Sequence, residues 1–305
     1  MSNTNRIKAF LQKRSVLKKK FIFPFSPKET TICERRRDFL EQFTISSDYH
    51  LAILKYIDEQ VGLKGKRVLE LGGSNIPREI FLDDFAVKQY VGIDYIESWW
   101  ADPNHKRERV NLLNDIKKAY NREEPYLLFS GSINDLTDDY LVKHFDVIIS
   151  FSSIEHFEDM PLMLKKAFNV LKKGGIYFAS SEPIWSSGKG HHFWITADYN
   201  FQVTPDFDYA HLIYDKRQFK KKFINIKDLD KVSRQVYDWN GINRLFYSEI
   251  ETAVNASPFV FKEIYPFIIQ KPPREVEDLL YKKYSNRAKN KEKFSKRGIQ
   301  WILQK

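Results

Sequence analysis

The stretch RVLELGGSNIPREI, Arg67–Ile80, carries a hydrophobic run into an acid, two glycines and a polar turn. Glycine lacks the Cβ that keeps a ligand away from the main chain, so Gly72 and Gly73 let backbone amides approach a bound group closely. A dinucleotide-binding turn needs three glycines spaced G-x-G-x-x-G. That spacing is not met here, because Ser74 and Ile76 follow the pair.

Outward from this turn, short apolar runs alternate with longer amphipathic ones. Strands are expected at Arg67–Leu71, Gln89–Ile93, Tyr126–Ser130, Asp146–Ser150 and Ile176–Ser180. Helices are expected between them at Arg78–Phe85, Lys106–Tyr120, Asp135–Lys143 and Met160–Leu171, with another over residues 38–62. This alternation predicts an α/β, Rossmann-like, doubly wound and mostly parallel sheet with helices on both faces. Ligands of such sheets bind beyond the carboxyl ends of the strands. The chemistry is therefore assigned to GGSN, DY, GSIND, FSSIEHFED and SEPIWSSGKGHH, the segments that follow the five strands. Asp94, ending the second strand beside Tyr95, is placed to accept hydrogen bonds from a ribose diol.

Composition bounds the alternatives. At 305 residues, 42% hydrophobic and 15% aromatic, the chain can bury a full core. A single cysteine, Cys33, rules out a disulfide framework and any multi-cysteine zinc site. No apolar run is long enough to span a bilayer and the first residues lack a secretory signal, so a cytoplasmic protein with no transmembrane segment is expected. The net charge of +10 lies at the ends: residues 1–37 hold 11 Lys/Arg against 2 acids, and residues 271–305 hold 11 against 4. Such ends suit either solvated helix faces or contact with an anionic partner.

Together VLELGGSN, YVGIDY, LLFSGSINDL, FDVIISFSSIEHFED and LKKGGIYFAS resemble, in order and spacing, the motifs of class I S-adenosylmethionine-dependent methyltransferases over residues 64–181. The resemblance implies a seven-stranded sheet, S-adenosyl-L-methionine as methyl donor and S-adenosyl-L-homocysteine as product. It implies that Glu70 and the Gly72, Gly73, Ser74 turn face the methionine part. Asp94 and Tyr95 would lie at the ribose, Ser132 and Ile133 at the adenine, and Ser150 and Phe151 beside the sulfonium. Ser132 stands where an acid commonly reads the adenine amino group.

Two further clusters concern the acceptor. Glu155 and His156 follow the fourth expected strand, and EPIWSSGKGHHFW with PDFDYAHLIYD follows the fifth. The latter wording resembles methyltransferases of surface-glycan (polysaccharide) synthesis, which implies a sugar or nucleotide-linked sugar as small-molecule substrate. Three readings stand for the clusters: loop packing, substrate binding with a histidine as general base, and a divalent metal site built on Glu155 and histidines. A metal-dependent RNA methyltransferase would carry a second Glu where this chain has Ser152, so no metal ligand is assigned. The expected bases are His192, His156 and His191, oriented by Glu155. Trp185, His211, Trp194 and Tyr214 are expected to contact the substrate.

The expected organisation is a basic helical arm over 1–62, a methyltransferase domain over 63–270 with a lid-like insertion at about 182–250, and a basic helical extension over 271–305. A homodimer is possible. The preferred activity is O-methylation of a sugar hydroxyl, without a nucleic-acid partner. The alternatives are an RNA-directed methyltransferase and a non-catalytic cofactor-binding scaffold.

Overall fold

A computed structural model of the chain describes residues 47–72, 76, 79–94, 112–113, 124–135, 142–192 and 207–305. Residues 1–46 of the expected 1–62 arm, the expected helix at 106–120 apart from Leu112 and Leu113, residues 136–141 of the one expected at Asp135–Lys143, and the site candidates Gly73, Ser74, Tyr95 and Trp194 lie outside the described residues.

Among the described residues the core is one eight-stranded sheet. Its strands are β1 (Arg67–Leu71), β2 (Gln89–Asp94), β3 (Leu112–Leu113), β4 (Tyr126–Ser130), β5 (Phe145–Phe151), β6 (Leu171–Ser181), β7 (Phe261–Ile269) and β8 (Lys296–Gln304). They run in the order β3-β4-β2-β1-β5-β6-β8-β7. The β3, β4, β2, β1, β5 and β6 strands pair in parallel, while β8 runs antiparallel to both β6 and β7. Seven strands make the body of the sheet; β3 adds a two-residue edge where a helix was expected.

Strands β1, β2 and β5 are buried along nearly their whole length, the pattern of a parallel sheet covered on both sides. One face is packed by helix α1 (Ser47–Val61), through Leu54 and Ile57, and by a π-helical turn at Ile80–Asp84. The other is packed by α2 (Met160–Val170), whose Met160, Met163, Leu164, Ala167 and Val170 form one apolar stripe at helical spacing. Asp159 caps α2 by accepting from the Leu162 amide at 2.9 Å, with Pro161 in the first turn.

Beyond β6 the chain forms α3 (Ala210–Ile213), α4 (Lys216–Lys222), α5 (Leu229–Tyr237), α6 (Tyr247–Ala256) and α7 (Arg274–Ala288). Helix α6 joins α2 on the same sheet face through Ile250 and Val254. Arg287 of α7 holds Glu249 of α6 with two hydrogen bonds of 2.7 and 2.6 Å, so the last helix is tied to the body.

The expected basic helical extension is corrected. Residues 274–288 are helical, but Lys296–Gln304 is a strand inserted between β6 and β7. Its Ile299, Trp301 and Leu303 enter the core with α2, while Ile302 enters the opposite one. Lysines crowd the flanks of this run and mask its continuous burial when charge is averaged over the segment. Pro266, which cannot donate to a ladder, lies in β7, where only β8 pairs with it.

Candidate functional site

The strand order reverses at β1, whose neighbours are β2 on one side and β5 on the other. A crevice at the carboxyl ends follows from that reversal. At the end of β1, Gly72 has φ of +72° and its amide donates to the Ile93 carbonyl at 2.9 Å. A Cβ there would lie 2.2 Å from the Ser153 Cβ, so both conformation and space demand glycine.

The turn is held from β5. The Ser150 hydroxyl donates to the Leu71 carbonyl at 2.6 Å, and the Ser153 Oγ lies 3.0 Å from that carbonyl and 2.9 Å from Ser150. Ser150 is thus a brace for the first strand's end. Phe151 is buried and stacks on His50 with ring centroids 5.3 Å apart. Both residues are buried at the carboxyl end of β5. Glu70 is also buried, and it accepts a hydrogen bond from the Tyr90 hydroxyl of β2. Ile133 belongs to the core packed by α2.

Groups at the open edge are half-buried: Gly72 after β1, Asp94 ending β2, and Gly131 with Ser132 after β4. Asp94 pairs in register with Ser130, so these strand ends stand side by side. A carboxylate beside accessible main chain is the chemistry that a nucleoside with a ribose diol requires, and the donor set present here fits such a group.

The second half of the site lies after β5 and β6. Glu155 and His156 sit on a 3-10 turn at Ile154–His156, and His191 and His192 lie in the segment that follows β6. His192 Nε2 lies 3.7 Å from Glu155 Oε1, and His156 Nε2 lies 4.0 Å from the same oxygen. The two imidazole rings stand 5.8 Å apart. Glu155 and His192 are both 3% exposed, whereas His156 is 37% exposed and faces the opening.

Each partner is fixed from behind. The Ser181 hydroxyl donates to Glu155 Oε2. His156 Nδ1 donates to the Gly241 carbonyl at 2.5 Å, and His192 Nδ1 donates to the Gly190 carbonyl at 2.8 Å. Asn243 clamps the 3-10 turn: its side-chain amide donates to Ile154 and Phe157, and its backbone amide to Glu155. Burial works to raise the Glu155 carboxyl, but His192, His156 and the Ser181 hydroxyl outweigh it and hold the group below the usual carboxylate range.

The histidine loop is anchored by charge. Lys189 meets Asp208 at 2.7 Å, Gln270 donates to the other Asp208 oxygen at 2.6 Å, and Arg297 of β8 meets Glu182 at 2.7 Å. His192 itself has φ of +52°, a left-handed conformation uncommon for a non-glycine residue.

Of the expected bases, the structure gathers His192 and His156 around Glu155. His191 turns instead toward His211, with rings 5.4 Å apart. Burial pushes the His191 imidazole well below its ordinary value, and that of His211 down to about 3. His211 donates from Nε2 to the Trp185 carbonyl at 2.7 Å and packs edge-on against the Trp185 ring. Both are buried, so they brace the loop and do not form an open substrate wall. Tyr214 packs against Phe223 in the cluster around α4 and α5. Trp239 is half-buried, and its ring centroid lies 5.9 Å from that of the exposed His156.

Ser153, Ser181, Gly241 and Asn243 escaped the sequence reading. Ser153 and Ser181 fall within the segments FSSIEHFED and SEPIWSSGKGHH without being singled out there, and no local pattern marks Gly241 and Asn243.

Residues 46–202, just over half the chain, match the family model described as a methyltransferase domain. The chain is 31% identical over 168 residues to a ubiquinone biosynthesis O-methyltransferase of Coxiella burnetii, covering 53% of this chain and 63% of that protein. It is 27% identical to the protein of the same description from Pseudomonas fluorescens, covering 49% and 59%. Among solved structures it is similar to an S-adenosylmethionine-dependent methyltransferase from Mesorhizobium loti, with 13% identity, a TM-score of 0.43, and 80% and 93% of the two chains covered. The chain thus spans less than two-thirds of the length of the curated relatives it matches.

Proposed function

The chain belongs to the methyltransferase domain family, and from that premise we propose that it transfers a methyl group from S-adenosylmethionine and that its acceptor atom is a hydroxyl oxygen. The observation that carries this reading is the cluster of Glu155, His156 and His192 beyond β5 and β6, one carboxylate and two imidazoles opening to solvent on the His156 side.

S-adenosylmethionine, when bound, supplies a methyl carbon on a sulfonium sulfur that keeps the C–S electron pair. Gly72, Asp94 and the Gly131–Ser132 segment are the residues that would hold it. The chain's own contribution is then to orient an alcohol and remove its proton. A neutral hydroxyl is a weak nucleophile, so a positioned group that takes the proton late in the step accelerates transfer. We assign this work to the Glu155–His156–His192 cluster, whose carboxylate would counter positive charge formed beside it.

The proposed acceptor is a sugar or nucleotide-linked sugar, for which Trp239 beside His156 offers an aromatic face. A second reading, a ring hydroxyl of a quinone precursor, is favoured by the names of the relatives from Coxiella burnetii and Pseudomonas fluorescens. One experiment separates them: incubate the full chain with S-adenosylmethionine and parallel panels of nucleotide-sugars and dihydroxylated aromatics, and follow a gain of one methyl by mass spectrometry. Methylation on nitrogen or carbon would overturn the hydroxyl reading.

A further inference from the structure

We propose that Glu155, His156 and His192 form a binding site for one first-row divalent transition-metal cation, with the open position directed at the acceptor hydroxyl. The role of the cation rests on the hydroxyl-acceptor reading; its binding does not.

The arrangement of lone pairs carries the inference. Each imidazole gives its Nδ1 proton to a main-chain carbonyl, Gly241 for His156 and Gly190 for His192. In the neutral imidazole that leaves the lone pair on Nε2, where a cation can take the place of a proton. Both Nε2 atoms then face one carboxylate oxygen, at 4.0 and 3.7 Å, and the three atoms all lie within 4.8 Å of one another. Three such atoms converging in a largely buried pocket favour positive charge among them, which a proton on Nε2 or a cation in its place can supply.

A backbone carbonyl behind each histidine and a hydroxyl behind the carboxylate is the arrangement that orients metal ligands. Here Ser181 supplies the hydroxyl, leaving Oε1 to the cluster. Ligand atoms around a tetrahedral cation stand about 3.4 Å apart at bond lengths of roughly 2.1 Å. Moderate inward rotation of the half-exposed His156 would bring the set to that spacing. Three protein ligands with one open side are the pattern of catalytic sites, whereas structural sites are closed by four. Two nitrogens and one oxygen suit zinc, cobalt, iron or manganese better than calcium, which takes oxygen ligands only. A hydroxyl held at the open position would have its acidity raised, so the histidines would serve as ligands and the proton would leave to solvent past His156.

The test uses the full chain stripped with a chelator. Zn²⁺ is titrated by calorimetry and Co²⁺ by visible absorption, for the parent and for His156→Ala, His192→Ala and His191→Ala, each checked for folding by circular dichroism. Expected are one equivalent bound, affinity reduced about tenfold or more in His156→Ala and His192→Ala, and no change in His191→Ala. His156→Ala keeps the test decisive should the buried His192 variant fail to fold. Absence of stoichiometric binding, or equal binding by parent and His156→Ala, overturns the site. Hydroxyl methylation undiminished by chelation overturns the cation's role and leaves the acceptor reading standing. Stoichiometric binding with no hydroxyl methylated supports the site and overturns that reading alone.

Discussion

Gly72 and Ser153 approach so closely that a Cβ built on the glycine would lie 2.2 Å from the serine's own Cβ. The turn that ends β1 is thus shaped by a side chain 81 positions later, which also reaches the Leu71 carbonyl.

Replacing Gly72 with Ala should therefore strain the turn twice, through its φ of +72° and through the clash. A loss of about 1–3 kcal/mol in unfolding free energy is expected for the backbone strain alone. Affinity for S-adenosylhomocysteine should fall with it, as read by calorimetry. Ser153→Ala should cost only about 1 kcal/mol, the worth of one hydrogen bond.

Asp94→Ala tests the ribose contact. Hydrogen bonds to a charged group are worth about 1.5–3 kcal/mol, so S-adenosylhomocysteine should bind roughly 10- to 150-fold more weakly. The melting temperature of the ligand-free protein should barely move, because Asp94 lies at the half-buried rim of the sheet. Undiminished affinity would remove Asp94 from the cofactor site.

The C-terminal strand should prove indispensable. Trp301 is fully buried and meets Tyr177 edge-on at 5.5 Å. Trp301→Ala should cost about 3–5 kcal/mol in denaturant unfolding. Deleting residues 296–305 should abolish cooperative folding, since it strips β7 of its partner and opens β6.

Acid should destabilise the fold through its buried imidazoles. Burial lowers His50 to about 4 and His211 to about 3 from an ordinary 6.5. Between those values and 6.5 the unfolded chain binds more protons than the folded one. Their contribution is complete above pH 6.5 and is lost as pH falls toward 4 and 3, by up to about 1.4 kcal/mol per pH unit for each group. Melting temperatures measured from pH 7.5 to 5 should decline, and His211→Gln should flatten part of that slope. A profile without slope would contradict the burial of neutral histidines.

The periodic part of the molecule was legible in its residues. Runs such as Val68–Leu71 and Val147–Ser150 read as buried strands, and the stripe of α2 as a helix, because local hydrophobic period is set by the geometry of the element itself. Glycine and acid at strand ends likewise marked the carboxyl edge of the sheet, since a turn with positive φ is written in a single residue.

Tertiary structure decided what depends on distant partners. Strand β8 could not be placed between β6 and β7 from sequence, because pairing across 120 positions, as between Ser180 and Gln300, leaves no local trace. Nor could the adjacent His191 and His192 be told apart. One turns to His211 and the other to Glu155, and that choice is made by the backbone of a loop anchored through Lys189 and Asp208. Residue type supplied the imidazoles and the carboxylate; only the packing of β5, β6 and the 239–243 segment set which of their atoms face one another.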